Sequence, residues 1–464
     1  MIPSHSARFA GAGPAGEALE ARQVPSGVLH LPLVNMPASP AAGAKLRRQI
    51  SSSMDQYLYS DNAVAVGAVF DVGTPPQKVI LEPDTGSTDL WLLGLQPGQA
   101  REGGPGGPAS TFFDQKASTS LTALGGPPVS HSFASERITT ENYADIFSYG
   151  GKSLGNLTMG LGDLTKPGDK LSRQVGVIGL VPSENSADPK SFILERLLDQ
   201  NLVKSKMFSI GVRKHGHGAL TFGGYDTSKF SGPLEKLPMV RSRSNQFYGF
   251  ALKSISFKKS TSDAPVELYT KGEKGKPLDM GLDSGTVSLH LVKGAPATKV
   301  FVDSTGATAG ADGKYRFDCA VVDGGASFEF QVTDQVAISM PLADFVETRL
   351  DGGKTCQMLI AVSNRMSTSE FFLCFPDDLR AIPSRSWPLT CSRIDVWAGR
   401  QFLRRSYVIH DHEGQTMYVA RGADCGSSVV AIDGAMPDGI TGTCQREEAE
   451  AVEVPPKAPG ATTP

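Results

Sequence analysis

The sequence lacks the long apolar runs of a membrane protein and the strong basic charge of a nucleic-acid-binding protein. No run in the 464 residues approaches the roughly 18 apolar residues of a membrane helix, so none is expected to span a bilayer. The formal net charge is only -3, which leaves no basic field to hold phosphate backbones or anionic lipid heads. The sequence therefore predicts no transmembrane segment and no nucleic-acid partner.

The N-terminal residues also lack the apolar core of a signal peptide, so export has to be argued from other features. A glycosylation sequon at Asn156-Leu157-Thr158 and an even number of widely spaced cysteines favour the secretory pathway and disulfides. The alternative is a set of reduced thiols in a cytosolic protein. The six cysteines are Cys319, Cys356, Cys374, Cys391, Cys425 and Cys444.

Metal-binding motifs are absent as well. No cysteines form a CxxC pair and no HExxH occurs, so we expect neither a metal nor a cofactor. A metal-dependent hydrolase would have to recruit His215 and His217, or His410 and His412. These histidines lie in the turn-rich stretches HGHG and HDHEG, which predicts exposed turns rather than ligands.

Composition divides the chain into four parts. Residues 1–60 are rich in Ala, Gly, Pro and Ser and carry a basic cluster at Lys45–Arg48, which predicts a disordered or removable leader. The alternative for this part is a plain disordered tail. Two lobes are expected over residues 61–245 and 246–425, joined through RSRSNQ, and residues 426–464 are expected to be a mostly disordered tail.

Short apolar runs broken by Gly and Pro predict an all-β protein. Examples are AVAVGAVFDVG, KVILEP and QVGVIGLV in the first half and YRFDCAVV, SFEFQV and TMYVAR in the second. Helical periodicity is convincing mainly over residues 190–203, where Phe192, Ile193, Leu197 and other apolar residues fall on one side. One helix is expected there.

Two near copies of one short motif stand out from this background: Asp84-Thr85-Gly86-Ser87 and Asp283-Ser284-Gly285-Thr286. Each follows an apolar run and precedes another. Either motif alone is better explained as an Asx-type turn, whereas the pair together predicts a catalytic site.

Paired carboxylates suit the hydrolysis of an amide, which needs a base to activate water and an acid to protonate the reacting group. Two carboxylates about 3 Å apart share a proton, so that one is the acid and the other the base. Glycine lets each turn close tightly. Ser87 and Thr286 are predicted to donate to the aspartates, and Thr85 and Ser284 to bond across the junction of the two loops.

The chain resembles the pepsin-like aspartic peptidases, and within them most resembles the secreted and yapsin-like fungal branch. The similarity runs from about Ala63 to Ala423 in the family's motif order. It implies an all-β, bilobal fold with two β-barrel-like lobes and a cleft between them, and Asp84 and Asp283 as the catalytic pair. The resembling segments are VGTPPQ, DTGSTDLW, GVIGL, LTFGGYD, DSGT and FLRRSYV.

The resemblance also implies local features of each lobe. Val177-Ile178-Gly179 and Val396-Trp397-Ala398-Gly399 match the strand that supports each aspartate loop, although Arg400 stands where the family has a small or acidic residue. Cys319 and Cys356 match a second-lobe disulfide. For the other four cysteines, Cys374–Cys391 and Cys425–Cys444 is the preferred pairing.

The sequence departs from the family at the flap, the hairpin that covers the cleft. Phe133 occupies the position of the family's flap tyrosine, while its usual partner, Trp91, is present and is expected to pack on Phe133 instead. Pro83 is a second departure, because it removes a backbone donor just before Asp84.

These features predict a secreted, cell-surface or vacuolar aspartic endopeptidase, made as a zymogen and active as a monomer at acidic pH. Polypeptide substrates and pepstatin-like inhibitors are the expected partners. The alternative is a catalytically weak or inactive peptidase-like protein that binds peptides or proteins in its cleft. The intact aspartate pair favours the enzyme, and the altered flap favours the binding protein.

Overall fold

Strands make up most of the folded chain. The computed structural model describes residues 24–445, except for 37–64, 97, 100, 102–106, 134–135, 172–173, 183–191, 214–217, 242–247, 271–276, 293–295, 312 and 364–395. The described part contains thirty strands and four short α-helices. The prediction of an all-β protein is confirmed.

The strands fall into two series along the chain. The first fifteen are β1 Leu29–Met36, β2 Ala65–Val72, β3 Gln77–Asp84, β4 Leu90–Gly94, β5 Phe112–Phe113, β6 Thr122–Ala123, β7 Val129–Phe133, β8 Glu136–Tyr149, β9 Lys152–Gly162, β10 Gly176–Gly179, β11 Met207–Gly211, β12 Ala219–Phe222, β13 Gly224–Asp226, β14 Phe230–Pro238 and β15 Val240–Arg241. The other fifteen are β16 Tyr248–Leu252, β17 Ser254–Lys258, β18 Val266–Tyr269, β19 Leu278–Leu282, β20 Leu289–Val292, β21 Thr308–Ala309, β22 Lys314–Asp318, β23 Ser327–Gln331, β24 Ala337–Pro341, β25 Val346–Leu350, β26 Thr355–Ser363, β27 Val396–Ala398, β28 Ser406–Asp411, β29 Thr416–Gly422 and β30 Val429–Ala431.

Helices are few and short. They are α1 Ile193–Asp199, α2 Pro296–Thr305, α3 Cys319–Asp323 and α4 Arg400–Arg405, with single 3₁₀ turns at Thr227–Lys229, Leu342–Phe345 and Asp351–Gly353. In the part of the chain that the structure describes, no helix has the length and apolar character needed to cross a membrane.

The helix predicted over residues 190–203 is present but shorter, because α1 covers only Ile193–Asp199. Ile193, Leu194 and Leu197 are buried, as the apolar periodicity predicts. The helix ends before Asn201, whose positive φ of 54° is incompatible with a continuing right-handed helix.

Four sheets organise the strands, and the largest has fifteen of them in the order β14-β29-β28-β11-β12-β1-β2-β3-β10-β4-β9-β8-β6, with β5 on β4 and β7 on β8. The second half of the chain adds a nine-stranded sheet, β15-β16-β19-β27-β20-β26-β22-β21 with β25 on β26, and a four-stranded sheet, β18-β17-β23-β24. The pair β13-β30 forms the fourth. One continuous apolar core spans both halves.

Strand pairing crosses the boundary between lobes that was expected at residue 245. β15 pairs with β16, and β28 and β29 return from the second half to lie between β14 and β11 in the fifteen-stranded sheet. The predicted crossing segment RSRSNQ begins in β15 with Arg241, and its remaining residues, 242–246, lie outside the described residues. Strands from the two ends of the chain therefore share the sheet that joins the halves.

β1 lies within the predicted leader of residues 1–60, yet it is part of the folded structure. This strand lies between β12 and β2, with Leu29 opposite Phe222 and Leu33 opposite Ala68. Leu29, Leu31 and Leu33 are buried. The basic cluster Lys45–Arg48 lies outside the described residues. Removal of the whole leader therefore requires β1 to leave the sheet.

The expected tail also contains structure over residues 426–445. β30 pairs with β13, with Tyr225 opposite Val430, and a disulfide joins Cys425 to Cys444. The second disulfide joins Cys319 to Cys356, as the resemblance implied. Cys374 and Cys391 lie outside the described residues. Four of the six cysteines are thus paired, which removes the free-thiol alternative for them.

Candidate active site

Asp84 is the last residue of β3, and the short strand β10 lies beside it. β10 runs parallel to β3, with Gly179 opposite Asp84, and antiparallel to β4. The amide of Leu180 donates to the Asp84 carbonyl oxygen at 2.8 Å. The predicted support of the first aspartate loop by Val177-Ile178-Gly179 is confirmed.

Asp283 is held by the same arrangement in the second half. β27 runs parallel to β19, with Ala398 opposite Leu282, and antiparallel to β20. The amide of Asp283 donates to the Ala398 carbonyl oxygen at 3.1 Å. The two near-identical motifs are therefore presented by two copies of one strand arrangement.

Glycine is required after each aspartate because the two loops approach closely. The amides of Gly86 and Gly285 each donate to Oδ1 of the preceding aspartate, Asp84 and Asp283 respectively, at 2.8 Å. A methyl carbon on Gly86 would lie 2.6 Å from Oδ1 of Asp283, and one on Gly285 would lie 2.6 Å from Oδ1 of Asp84. Any larger residue would displace the opposite carboxylate.

Reciprocal hydrogen bonds tie the loops together, as predicted for Thr85 and Ser284. The Thr85 amide donates to Ser284 Oγ and the Ser284 amide donates to Thr85 Oγ1, both at 2.9 Å. Each hydroxyl then donates to a backbone carbonyl of the other half: Thr85 to Leu282 at 3.3 Å, and Ser284 to Pro83 at 2.7 Å. Both side chains are buried. Pro83 thus contributes through its carbonyl oxygen, and the antiparallel ladder of β3 with β2 ends before it, at Leu81.

The two carboxyl groups interact directly. Burial raises the pKa of Asp283 well above its ordinary value, and the charge of Asp84 and a hydrogen bond with its side chain raise it further. The amide of Gly285 acts in the opposite direction. The two carboxyl groups therefore titrate as a coupled pair.

Comparison with known proteins agrees with this geometry. The family model for eukaryotic aspartyl proteases matches residues 67–421. The chain belongs to this aspartyl protease family. With it, the pepsin-like bilobal all-β fold implied by the resemblance is confirmed.

Similar proteins of the aspartyl protease family come from fungi and mammals. Cathepsin E of Mus musculus is 26% identical over 64% of this chain and 70% of its own length. Candidapepsin-2 of Candida parapsilosis is 25% identical over 68% of this chain and 72% of its own length. Rhizopuspepsin-1 of Rhizopus niveus is 28% identical over 58% of this chain and 65% of its own length.

One predicted contact of this aspartyl protease site is not made. The buried Ser87 hydroxyl has no hydrogen-bond partner among the described residues, so its predicted donation to an aspartate is wrong. Thr286 contributes through its backbone, since its carbonyl oxygen accepts from the Arg400 amide at 2.9 Å, and donation by its hydroxyl stays a prediction. The amides of Gly86 and Gly285 donate to the carboxylates.

The hairpin predicted to be the flap is formed by β7 and β8. Phe133 ends β7 opposite Glu136, and its side chain lies outside the described residues. Trp91 is buried, and the ring stacked on it is His131, which the sequence analysis did not single out. The sequence indicates this position of His131, because residues two apart in a strand lie on the same face and His131 is two residues before Phe133.

A second pair missed from the sequence lies beside the loops. The Arg400 guanidinium hydrogen-bonds through Nη1 to Oε1 of Glu82, and both side chains are buried. The sequence feature that indicates this pair is a charged residue after an apolar run in each of two motifs, Glu82 in KVILEP and Arg400 in VWAGR.

The histidine expectation needs correction. His410 lies buried in β28, stacked on Phe208, and His412 is 5% exposed and hydrogen-bonds through Nε2 to the Tyr248 hydroxyl at 2.8 Å. Neither occupies an exposed turn, because alternation along β28 and its junction place both rings against the core. His215 and His217 lie outside the described residues. In the described ranges, no group of three or more His, Cys, Asp or Glu residues is arranged to hold a metal ion.

Proposed function

We propose that the chain is an aspartic endopeptidase that hydrolyses peptide bonds in proteins with a water molecule activated between Asp84 and Asp283. The observation that carries this proposal is the contact of two carboxyl groups, one from each half, with the pKa of Asp283 raised by burial and by Asp84. Two carboxylates so close share one proton, which supplies an acid and a base at once.

The shared proton assigns the roles within the pair. In the resting enzyme one carboxyl group is ionised and accepts a proton from the attacking water, and the other is protonated and donates its proton to the carbonyl oxygen of the scissile bond. The loop amides and the Thr85–Ser284 bonds hold both carboxyl groups in place, so little reorganisation accompanies the proton transfers. The singly protonated pair is lost at both extremes of pH, which favours activity in acid.

The remaining parts of the proposal concern biology and follow the family. The enzyme is a monomer that travels through the secretory pathway to the vacuole, cell surface or medium. It is made as a zymogen that is processed near Lys45–Arg48, it acts on polypeptides, and it is inhibited by pepstatin-like compounds. Two disulfides and the exposed sequon residues Asn156 and Thr158 support passage through an oxidising compartment.

Cleavage of denatured haemoglobin or a peptide library, from about pH 3 to about pH 7 and with and without pepstatin, tests the reaction. We expect acid activity that is abolished by pepstatin, by Asp84→Asn and by Asp283→Asn. Asp303→Asn is the matched control, because that carboxylate is exposed and, within the described part of the chain, its ion-pair partner is Lys299 on α2. Absence of cleavage at every pH, also after the chain is cut near Lys45–Arg48 with β1 left in place, would instead support a cleft that binds peptides without cutting them.

A further inference from the structure

A buried ion pair connects the two halves next to the aspartate loops. Glu82 lies in β3 and Arg400 at the start of α4, 318 positions away in sequence. Their side chains are 4% and 0% exposed. A charged pair so completely removed from water loses the hydration of both ions. The attraction between the two charges offsets this loss only when their geometry is favourable.

Each partner is attached directly to an aspartate loop. Glu82 precedes Asp84 by two residues in the same strand. The amide of Arg400 donates to the Thr286 carbonyl oxygen at 2.9 Å, which joins α4 to the Asp283 motif. Arg400 follows Gly399, where a methyl carbon would lie 2.4 Å from that same carbonyl oxygen. The pair is therefore a second cross-link between the loops, separate from the Thr85–Ser284 bonds.

We propose that the Glu82–Arg400 pair positions the two aspartate loops and sets the upper end of the pH range in which the pair of aspartates holds a single proton. This inference rests on the proposed aspartic endopeptidase function. Arg400 and Glu82 are positioning residues, since neither is assigned a contact with the substrate or the water.

The charge of Arg400 opposes the influences that raise the pKa of Asp283. Burial is the largest of these, followed by the charge of Asp84, and the positive charge of Arg400 lowers the pKa again. In the described chain, Asp84 and Arg400 supply the charges that act on Asp283. The other titratable groups on the strands that carry and flank the loops are Lys78 and Glu82 on β3, Asp279 on β19 and His290 on β20.

Stability alone does not account for the pair, because replacing a buried ion pair by neutral groups of similar size is often neutral or stabilising. Removing one partner leaves the other charge buried without its counter-ion, so single substitutions are expected to destabilise the fold. The informative variant therefore removes both charges, Glu82→Gln with Arg400→Gln. Arg400→Lys keeps the positive charge and tests whether the charge itself is needed.

The matched control is the ion pair between Arg405 and Asp344, because Arg405 lies on the same helix, α4, as Arg400. Arg405 donates to Asp344 through Nε at 2.6 Å and through Nη2 at 2.9 Å, and the side chains are 13% and 5% exposed. It is buried to a similar degree but joins α4 to a 3₁₀ turn of the second half. Arg405→Gln with Asp344→Asn is expected to leave the titration of the aspartates unchanged.

Two readouts on the full chain separate this inference from the proposed function. One is the pH dependence of kcat/KM on a peptide substrate, and the other is the ¹³C NMR titration of the Asp283 carboxyl group, assigned with Asp283→Asn. We expect the double Gln variant to shift the midpoint of both curves upward, since loss of the Arg400 cation lets Asp283 keep its proton longer, whereas Glu82 is not among the charges that act on Asp283. Arg400→Lys is expected to stay near the wild-type midpoint.

The inference is overturned if the double Gln variant titrates like the wild type, or if the Arg405 control shifts the midpoint equally. Failure of the proposed function has a different signature, namely a wild-type chain that does not cleave at any pH. The NMR midpoint still decides the role of Arg400 in that case, because it does not depend on turnover.

Discussion

The imidazole of His131 lies against the indole of Trp91, with ring centroids 6.0 Å apart and planes inclined by 27°. Its Nδ1 hydrogen-bonds to Oδ2 of Asp89 and its Nε2 to Oγ1 of Thr140, both at 2.9 Å. Asp89 and Trp91 belong to the segment after the first aspartate motif, and Thr140 to the other arm of the hairpin. His131 therefore anchors the β7–β8 hairpin to the segment that follows the Asp84 motif.

Replacement of His131 by alanine is expected to weaken this anchor. The substitution removes both hydrogen bonds and the stacking contact, so the hairpin covers the substrate less well. We expect kcat/KM to fall about tenfold, with much of the loss in KM. Steady-state kinetics on a peptide substrate measure the effect. Ser132→Ala, an exposed neighbour in the same strand, is the control, and equal kinetics for the two variants would contradict the role of His131.

The loop glycines are expected to tolerate no side chain. Gly86→Ala or Gly285→Ala puts a methyl carbon 2.6 Å from a catalytic carboxylate oxygen, which must then move. A displacement of this kind costs about a hundredfold or more in kcat. Gly94→Ala is the control, since the atom it approaches, at 3.1 Å, belongs to the flexible side chain of Gln115. Retained activity in Gly86→Ala would contradict the close approach of the two loops.

The Thr85–Ser284 bonds are expected to contribute to stability as one unit. Ser284→Ala leaves the Thr85 amide and the Pro83 carbonyl without these partners in a buried site, and an unsatisfied buried group costs about 1–3 kcal/mol. Thr85→Val should have a similar effect. The double variant should lose less than the sum, because the two residues share the same bonds. Urea unfolding measures the free energies, with exposed Ser262→Ala as the control; strict additivity would contradict the coupling.

Acid should destabilise the fold through His410. Burial lowers the pKa of this ring from 6.5 to about 3, and neither ring nitrogen has a hydrogen-bond partner among the described residues. The unfolded chain therefore binds the proton more readily. The neutral ring contributes fully above about pH 6.5, and this contribution falls by about 1.4 kcal/mol per pH unit as the pH drops toward the folded-state pKa.

His410→Phe tests this linkage, because phenylalanine preserves the stacking on Phe208, where the ring centroids are 4.3 Å apart. We expect the variant to lose less free energy of unfolding than the wild type between about pH 6.5 and about pH 4.5. Denaturant unfolding at several pH values measures the difference. Parallel pH profiles for the two proteins would mean that His410 is not the titrating group.

Local patterns in the sequence determined much of the fold and of the site. The two Asp motifs, the supporting strands at Val177–Gly179 and Val396–Gly399 and the apolar face of α1 are each encoded within a few consecutive residues. YRFDCAVV shows the limit of such patterns, because the strand β22 ends at Asp318 and Cys319–Asp323 is helical. The Asp318 side chain accepts from the Ala320 amide and starts that helix.

Relationships between distant residues that share no repeated motif were decided only by the tertiary structure. β1 looked like part of a leader because its strand partners, β2 and β12, lie elsewhere in the sequence. Glu82 and Arg400 form an ion pair across 318 positions, and no local periodicity encodes such a contact. The same holds for His131 on Trp91. Sequence alone determined which two carboxylates face each other, since both carry the same local motif, whereas their surroundings depend on long-range packing that strand alternation does not specify.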